Sequence, residues 1–106
     1  MKDNLNNQPN TMTAEHRVLF KRFGALLALA NVDMYATAKD VCPYLGSNPD
    51  DFRHACIDRK EQMGFPIIII GAVRPTLKIP IVPFISILTG IEAGTIYEAI
   101  ELQQAA

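Results

Sequence analysis

Gly64-Phe65-Pro66-Ile67-Ile68-Ile69-Ile70-Gly71-Ala72-Val73-Arg74-Pro75-Thr76-Leu77-Lys78-Ile79-Pro80 is the stretch on which the fold turns. An apolar run bounded by glycines and prolines reads as a buried strand. Gly71 and Pro75 are turn residues at either end of a short loop that carries Arg74. Thr76 to Ile79 then returns as a second strand with Lys78 on it, and Pro80 suits the start of a helix. The expectation is a compact β-hairpin. Its four isoleucines fix its base in a hydrophobic core, and its cations lie at the tip (Arg74) and on the return strand (Lys78).

Gly64 is also the stop of a helix expected from Pro49 to about Met63. Asn48 caps that helix, Pro49 takes its first position, and Asp50 and Asp51 oppose the positive end of its dipole. With Phe52 inward, Cys56 and Met63 lie close to the same direction, and Arg59 falls on the core side and snorkels. Arg53, Ile57 and Lys60 form one flank, while His54, Asp58 and Glu61 face outward. A shorter helix over Ala38 to Leu45 precedes it, capped by Thr37 and ended by Gly46. Pro43 within it removes a backbone donor, so that helix must be very short or irregular. Met34 to Ala36 reads as an extended link.

Helical segments over 13–31 and about 92–103 flank this core of residues 34–90, whose last element is a helix after the hairpin. Val18, Leu19, Phe23, Leu26, Leu27 and Ala30 recur at helical spacing over residues 13–31, with Thr13 as cap and Arg17, Lys21 and Arg22 on the other face. Beyond the hairpin, Ile81, Phe84, Ile85 and Leu88 mark a helix ended by Gly90, and Ile96, Ala99, Ile100 and Leu102 mark a last segment over about 92–103. The flanking helices are expected to pack on each other or on a second copy. Residues 1–12, Asn-rich and aperiodic, read as a disordered tail, which leaves a single domain over 13–106.

At 106 residues one domain is the natural count. A formal charge of −1 argues against a bulk electrostatic binder of nucleic acid. That charge is uneven, because Glu92, Glu98 and Glu101 have no cation after Lys78, and residues 1–91 hold ten cations against eight anions. Cys42 and Cys56 lack metal-site spacing and read as small, buried, reduced hydrophobes of a cytoplasmic protein. Met1 to Asn10 is too polar for a signal peptide, and Ile79 to Ile91 is too short and proline-broken to span a bilayer, so no membrane contact is expected.

Catalytic chemistry finds no support in the pattern. His16 and His54 lie in different helices without a nucleophile signature, and Asp50-Asp51 is explained by the helix dipole. No phosphate loop or zinc spacing occurs, so neither an enzyme nor a metal or cofactor is expected. The order of short helix, tight turn, second helix and hairpin suits duplex DNA instead. Helix-turn-helix proteins lay the second helix in the major groove and use its early exposed residues on base edges. Those residues here are Arg53 and His54, with Ile57 and Lys60 further along. Arginine reads guanine bidentately and Lys60 holds phosphate, while Arg74 suits the minor groove or backbone and Lys78 a phosphate.

Residues 35–90 resemble the excisionase-type, MerR-like winged-helix domains of phages and mobile elements. The likeness is carried by Tyr35-Ala36-Thr37-Ala38-Lys39-Asp40-Val41, Tyr44-Leu45-Gly46, Phe52-Arg53, Gly64-Phe65-Pro66, and Lys78-Ile79-Pro80 before Phe84 and Leu88. It departs from the family pattern in an acidic second helix, an unalternating isoleucine strand and the added terminal helices. The fold implied is mainly α with a small β-hairpin, a winged helix-turn-helix with an added N-terminal helix and C-terminal helical segment. The function implied is a small DNA-binding protein, an excisionase (an accessory factor in DNA recombination) or a transcription regulator. An integrase or recombinase and a homodimer or cooperative oligomer on double-stranded DNA are the implied partners. The alternative expectation is a protein-interaction module, for dimerisation or as an adaptor, that keeps the winged fold without binding DNA.

Overall fold

A computed structural model describes residues 12–105, so the tail expected over residues 1–12 lies almost wholly outside the described residues. The chain is mainly helical with a small three-stranded antiparallel sheet. Its order is α1 (Ala14–Ala30), β1 (Tyr35–Ala36), α2 (Ala38–Val41) running into a 3-10 helix (Cys42–Leu45), α3 (Pro49–Asp58), a second 3-10 helix (Lys60–Gln62), β2 (Ile68–Ile70), β3 (Thr76–Pro80), α4 (Ile81–Thr89) and α5 (Ala93–Ala105).

Helix starts follow their caps. The Thr13 hydroxyl accepts from the His16 backbone N–H, and the Thr13 N–H donates back to His16 Nδ1, both at 3.1 Å. Histidine thus fills the place that glutamate or glutamine usually holds in a capping box. At α3, Asn48 Oδ1 accepts from the Asp51 N–H at 2.9 Å, and Pro49 follows at the first helical position. The expected strain at Pro43 is relieved by the backbone itself, which tightens into the 3-10 helix that contains it. Gly90, at φ 77°, ends α4 by donating its N–H to the Ser86 carbonyl at 2.7 Å.

Two expectations about this region need correction. The helix expected to reach Met63 stops at Asp58, because Arg59 adopts φ −135°, ψ 42° and a 3-10 helix follows. After Cys56 the next inward position on the helix is Arg59, which has nothing to gain from burial. The chain turns there, leaving Arg59 exposed rather than on the core side, and the turn delivers Met63 and Phe65 to the core. Lys60 therefore sits beyond the helix. The four isoleucines do not share one environment either. Ile67 is buried and Ile69 half-buried, whereas Ile68 and Ile70 are 40% and 50% exposed. Successive strand residues alternate faces, and only one face of this sheet is covered.

Register defines the two faces. β3 is central, paired with β2 through Ile68↔Lys78, Ile69↔Leu77 and Ile70↔Thr76, and with β1 through Tyr35↔Pro80 and Ala36↔Ile79. Ala36, Leu77 and Ile79 turn inward and are buried, while Tyr35, Lys78, Ile68 and Ile70 lie on the outer face. The link expected over Met34 to Ala36 is thus a third strand in the sheet.

Beneath the inner face, Phe52, Cys56, Phe84, Ile85, Leu19, Phe23 and Leu27 belong to one buried cluster. α1 and α5 pack on each other, with His16 Nε2 at 3.2 Å from Glu98 Oε1 and Asn31 Nδ2 donating to Gln103 Oε1 at 3.1 Å. Gln103 also donates to the Gly24 carbonyl at 3.2 Å, beside the non-helical Phe23 (φ −126°, ψ 24°) where α1 is kinked. A side chain bonding into the helix's own ladder is a recognised cause of such a kink. Among the described residues no single helix is long and apolar enough to cross a membrane.

Both cysteines are free and buried. Burial pushes the Cys56 thiol above its ordinary value of 9.0. The folded chain then keeps this proton while the unfolded chain releases it, so stability falls as pH rises above about 9. Urea midpoints between neutral pH and pH 10 should decline for the wild type, and more shallowly for Cys56→Ala. Equal slopes for the two proteins would remove Cys56 from the account.

Candidate nucleic-acid interface

Arg53 leaves α3 half-buried, and its Nη2 donates to the Pro75 carbonyl at 2.8 Å. Pro75 closes the β2–β3 loop, so this bond fastens the hairpin loop to α3 across 22 residues of sequence. The guanidinium expected to read a base is thus already engaged by a backbone oxygen. His54 and Ile57 are exposed on α3, Ile57 by 40%. Lys60, expected on their flank, is exposed in the 3-10 helix beyond the break.

The loop starts at Gly71, whose φ of 94° is in the left-handed region that glycine enters without steric cost. A Cβ there would lie 3.4 Å from the Arg74 carbonyl oxygen, an ordinary contact, so it is the backbone angle that calls for glycine. Ala72, Val73 and Arg74 project from it and are exposed. Lys78 is on the outer face of the sheet, where its Nζ lies 5.9 Å from the centre of the Tyr35 ring. A cation over an aromatic face is held by about 0.5–1 kcal/mol at an exposed site. Lys78 is thus drawn toward β1, on the face opposite the one that packs on the core.

The cations named from sequence therefore differ in setting. Arg53 and the loop carrying Arg74 are joined by a direct bond, whereas Lys60 lies past the helix end and Lys78 turns to Tyr35. Sequence reasoning missed two residues, Tyr35 as the partner of Lys78 and Val73 as the most exposed large apolar residue of the loop, at 93%. Tyr35 carries no local signal, since a two-residue strand is too short to show alternation. Val73 did carry one: a β-branched apolar residue where turns favour Gly, Asn, Asp or Ser.

Among the described residues no group of three or more His, Cys, Asp or Glu side chains could hold a metal ion. Comparison with family models, curated proteins and solved structures returned no match.

Proposed function

We propose that the chain is a winged helix-turn-helix protein that docks α3 and the β2–β3 hairpin on duplex DNA. Its role would be that of an excisionase or transcription regulator of a phage or mobile element. The observation that carries this reading is the bond from Arg53 to the Pro75 carbonyl, which makes helix and hairpin loop one unit. A recognition surface split between a groove-reading helix and a backbone-holding hairpin needs that rigidity, because preorganised contacts lose less on binding. The element order supports it too, with β1 between α1 and α2 closing the sheet against β3. In this reading His54 and Ile57 meet base edges, Arg74 enters the minor groove or meets the backbone, and Lys60 and Lys78 hold phosphates.

The test is salt-dependent binding to mixed-sequence duplex DNA. Each phosphate contact adds about 0.9 to the slope of log affinity against log salt. Arg74→Ala combined with Lys60→Ala is expected to lower that slope by about 2 and to weaken binding several-fold. No binding at low ionic strength, or a slope untouched by the double substitution, sinks the proposal. That result favours the second reading, a protein-interaction module, for which the exposed Ile68 and Ile70 on the outer sheet face would supply an apolar contact.

A further inference from the structure

We infer that Val73 is an apolar wedge that enters a base step of duplex DNA beside Arg74, and that the chain thereby selects flexible pyrimidine–purine steps. The inference rests on the DNA-binding reading and adds to it a residue, a mode of contact and a sequence preference. Val73 is 93% exposed, and among the described residues no other large hydrophobic side chain is as open to water. Val32 comes next at 83%, but its neighbours are Asn31 and Asp33, whereas Val73 is followed by Arg74.

The local chemistry is wrong for a turn and right for a wedge. A hairpin tip ordinarily carries residues that tolerate turn geometry and hydrate well; Ala72 and Val73 do neither. Departures from local consistency are expected at functional positions. Both ends of the loop are meanwhile fixed, by the left-handed Gly71 on one side and by the Arg53 bond to Pro75 on the other. The tip is thus projected from a braced base, and its apolar side chain has no fold-stabilising contact to account for it.

DNA supplies what this arrangement lacks. Apolar side chains pushed between base pairs from the minor groove unstack a step and kink the duplex. An arginine at the same place suits the minor groove, where proteins that insert such wedges also place Arg and Lys. Pyrimidine–purine steps unstack most readily, so a wedge reads deformability rather than base edges. This also fits a chain with a formal charge of −1, in which phosphate attraction alone is weak and an apolar contact gives binding a source independent of salt.

Ring closure of a mixed-sequence duplex of about 110 base pairs tests this without knowledge of the site, since that length is below the persistence length of about 150 base pairs. Wild-type protein is expected to accelerate ligase-driven closure about tenfold or more, and less on a fragment stripped of TA and CA steps. Val73→Ala is expected to weaken binding several-fold with the salt slope unchanged, and to lose most of the acceleration at matched occupancy; Val73→Ile should keep it. Salt-dependent binding without accelerated closure, or equal acceleration by Val73→Ala, overturns the wedge while the DNA-binding reading stands. Failure to bind any duplex removes that reading and the wedge with it.

Discussion

Phe84→Ala is expected to lower the unfolding free energy by about 3–5 kcal/mol, the range for emptying a buried phenylalanine site. Phe84 is wholly buried and is the aromatic through which α4 meets the segment leading into the hairpin. Its ring stands edge-on to Phe65 at 5.0 Å and 89°, and Phe65 in turn stacks on Phe52 of α3 at 6.3 Å and 14°. Removing the ring leaves a cavity at the junction of α3, the hairpin lead-in and α4. Domains of this size are stable by about 5–15 kcal/mol in total. The variant should therefore unfold at a much lower urea concentration, with far-ultraviolet circular dichroism as the signal. Ile87→Ala is the control on the same helix. Ile87 is 52% exposed, and its truncation should cost no more than about 0.5 kcal/mol. A cost below about 1 kcal/mol for Phe84→Ala would mean that the three rings do not form a structural junction.

The parts of this fold legible in the sequence are those that local chemistry controls. Thr13 and Asn48 begin helices because their side chains meet orphan N–H groups within the same turn, and Gly90 ends one because its backbone tolerates positive φ. Such signals need no knowledge of the rest of the chain. The end of α3 was illegible for the opposite reason. Periodicity through Phe52, Cys56 and Met63 continues smoothly in the sequence, and the break appears only in the non-helical backbone of Arg59, which leaves that side chain exposed. The isoleucine run hid its own orientation, since four identical residues show no alternation from which a solvent face could be read. At the candidate site, residue types at Arg53, His54, Ile57 and Arg74 were visible, but engagement was not. Whether a guanidinium is free or tied to Pro75 depends on a contact made across 22 residues.

Arg53→Met should separate these roles, because it keeps the apolar stem of the side chain and removes the donors. A hydrogen bond from a charged group contributes about 1.5–3 kcal/mol when well buried. Arg53 is only half-buried, and water can reach the carbonyl it abandons, so the expected loss of stability is about 1–2 kcal/mol. The larger consequence is in the hairpin. Without the bond to Pro75 the loop loses its hydrogen-bonded tie to Arg53 of α3, and amide exchange at Leu77 and Lys78 should accelerate by a comparable factor, about tenfold per 1.4 kcal/mol. Binding to DNA should weaken by about the same tenfold, since α3 and the loop must then be aligned on the duplex at the moment of contact. The salt slope distinguishes this from a direct contact. A positioning Arg53 leaves the slope unchanged, a phosphate-bound Arg53 lowers it by about 0.9, and a guanine-reading Arg53 relaxes preference at one base pair. Unchanged amide exchange in the hairpin, together with either of the last two signatures, would place Arg53 on the DNA and release Pro75 from its role as anchor.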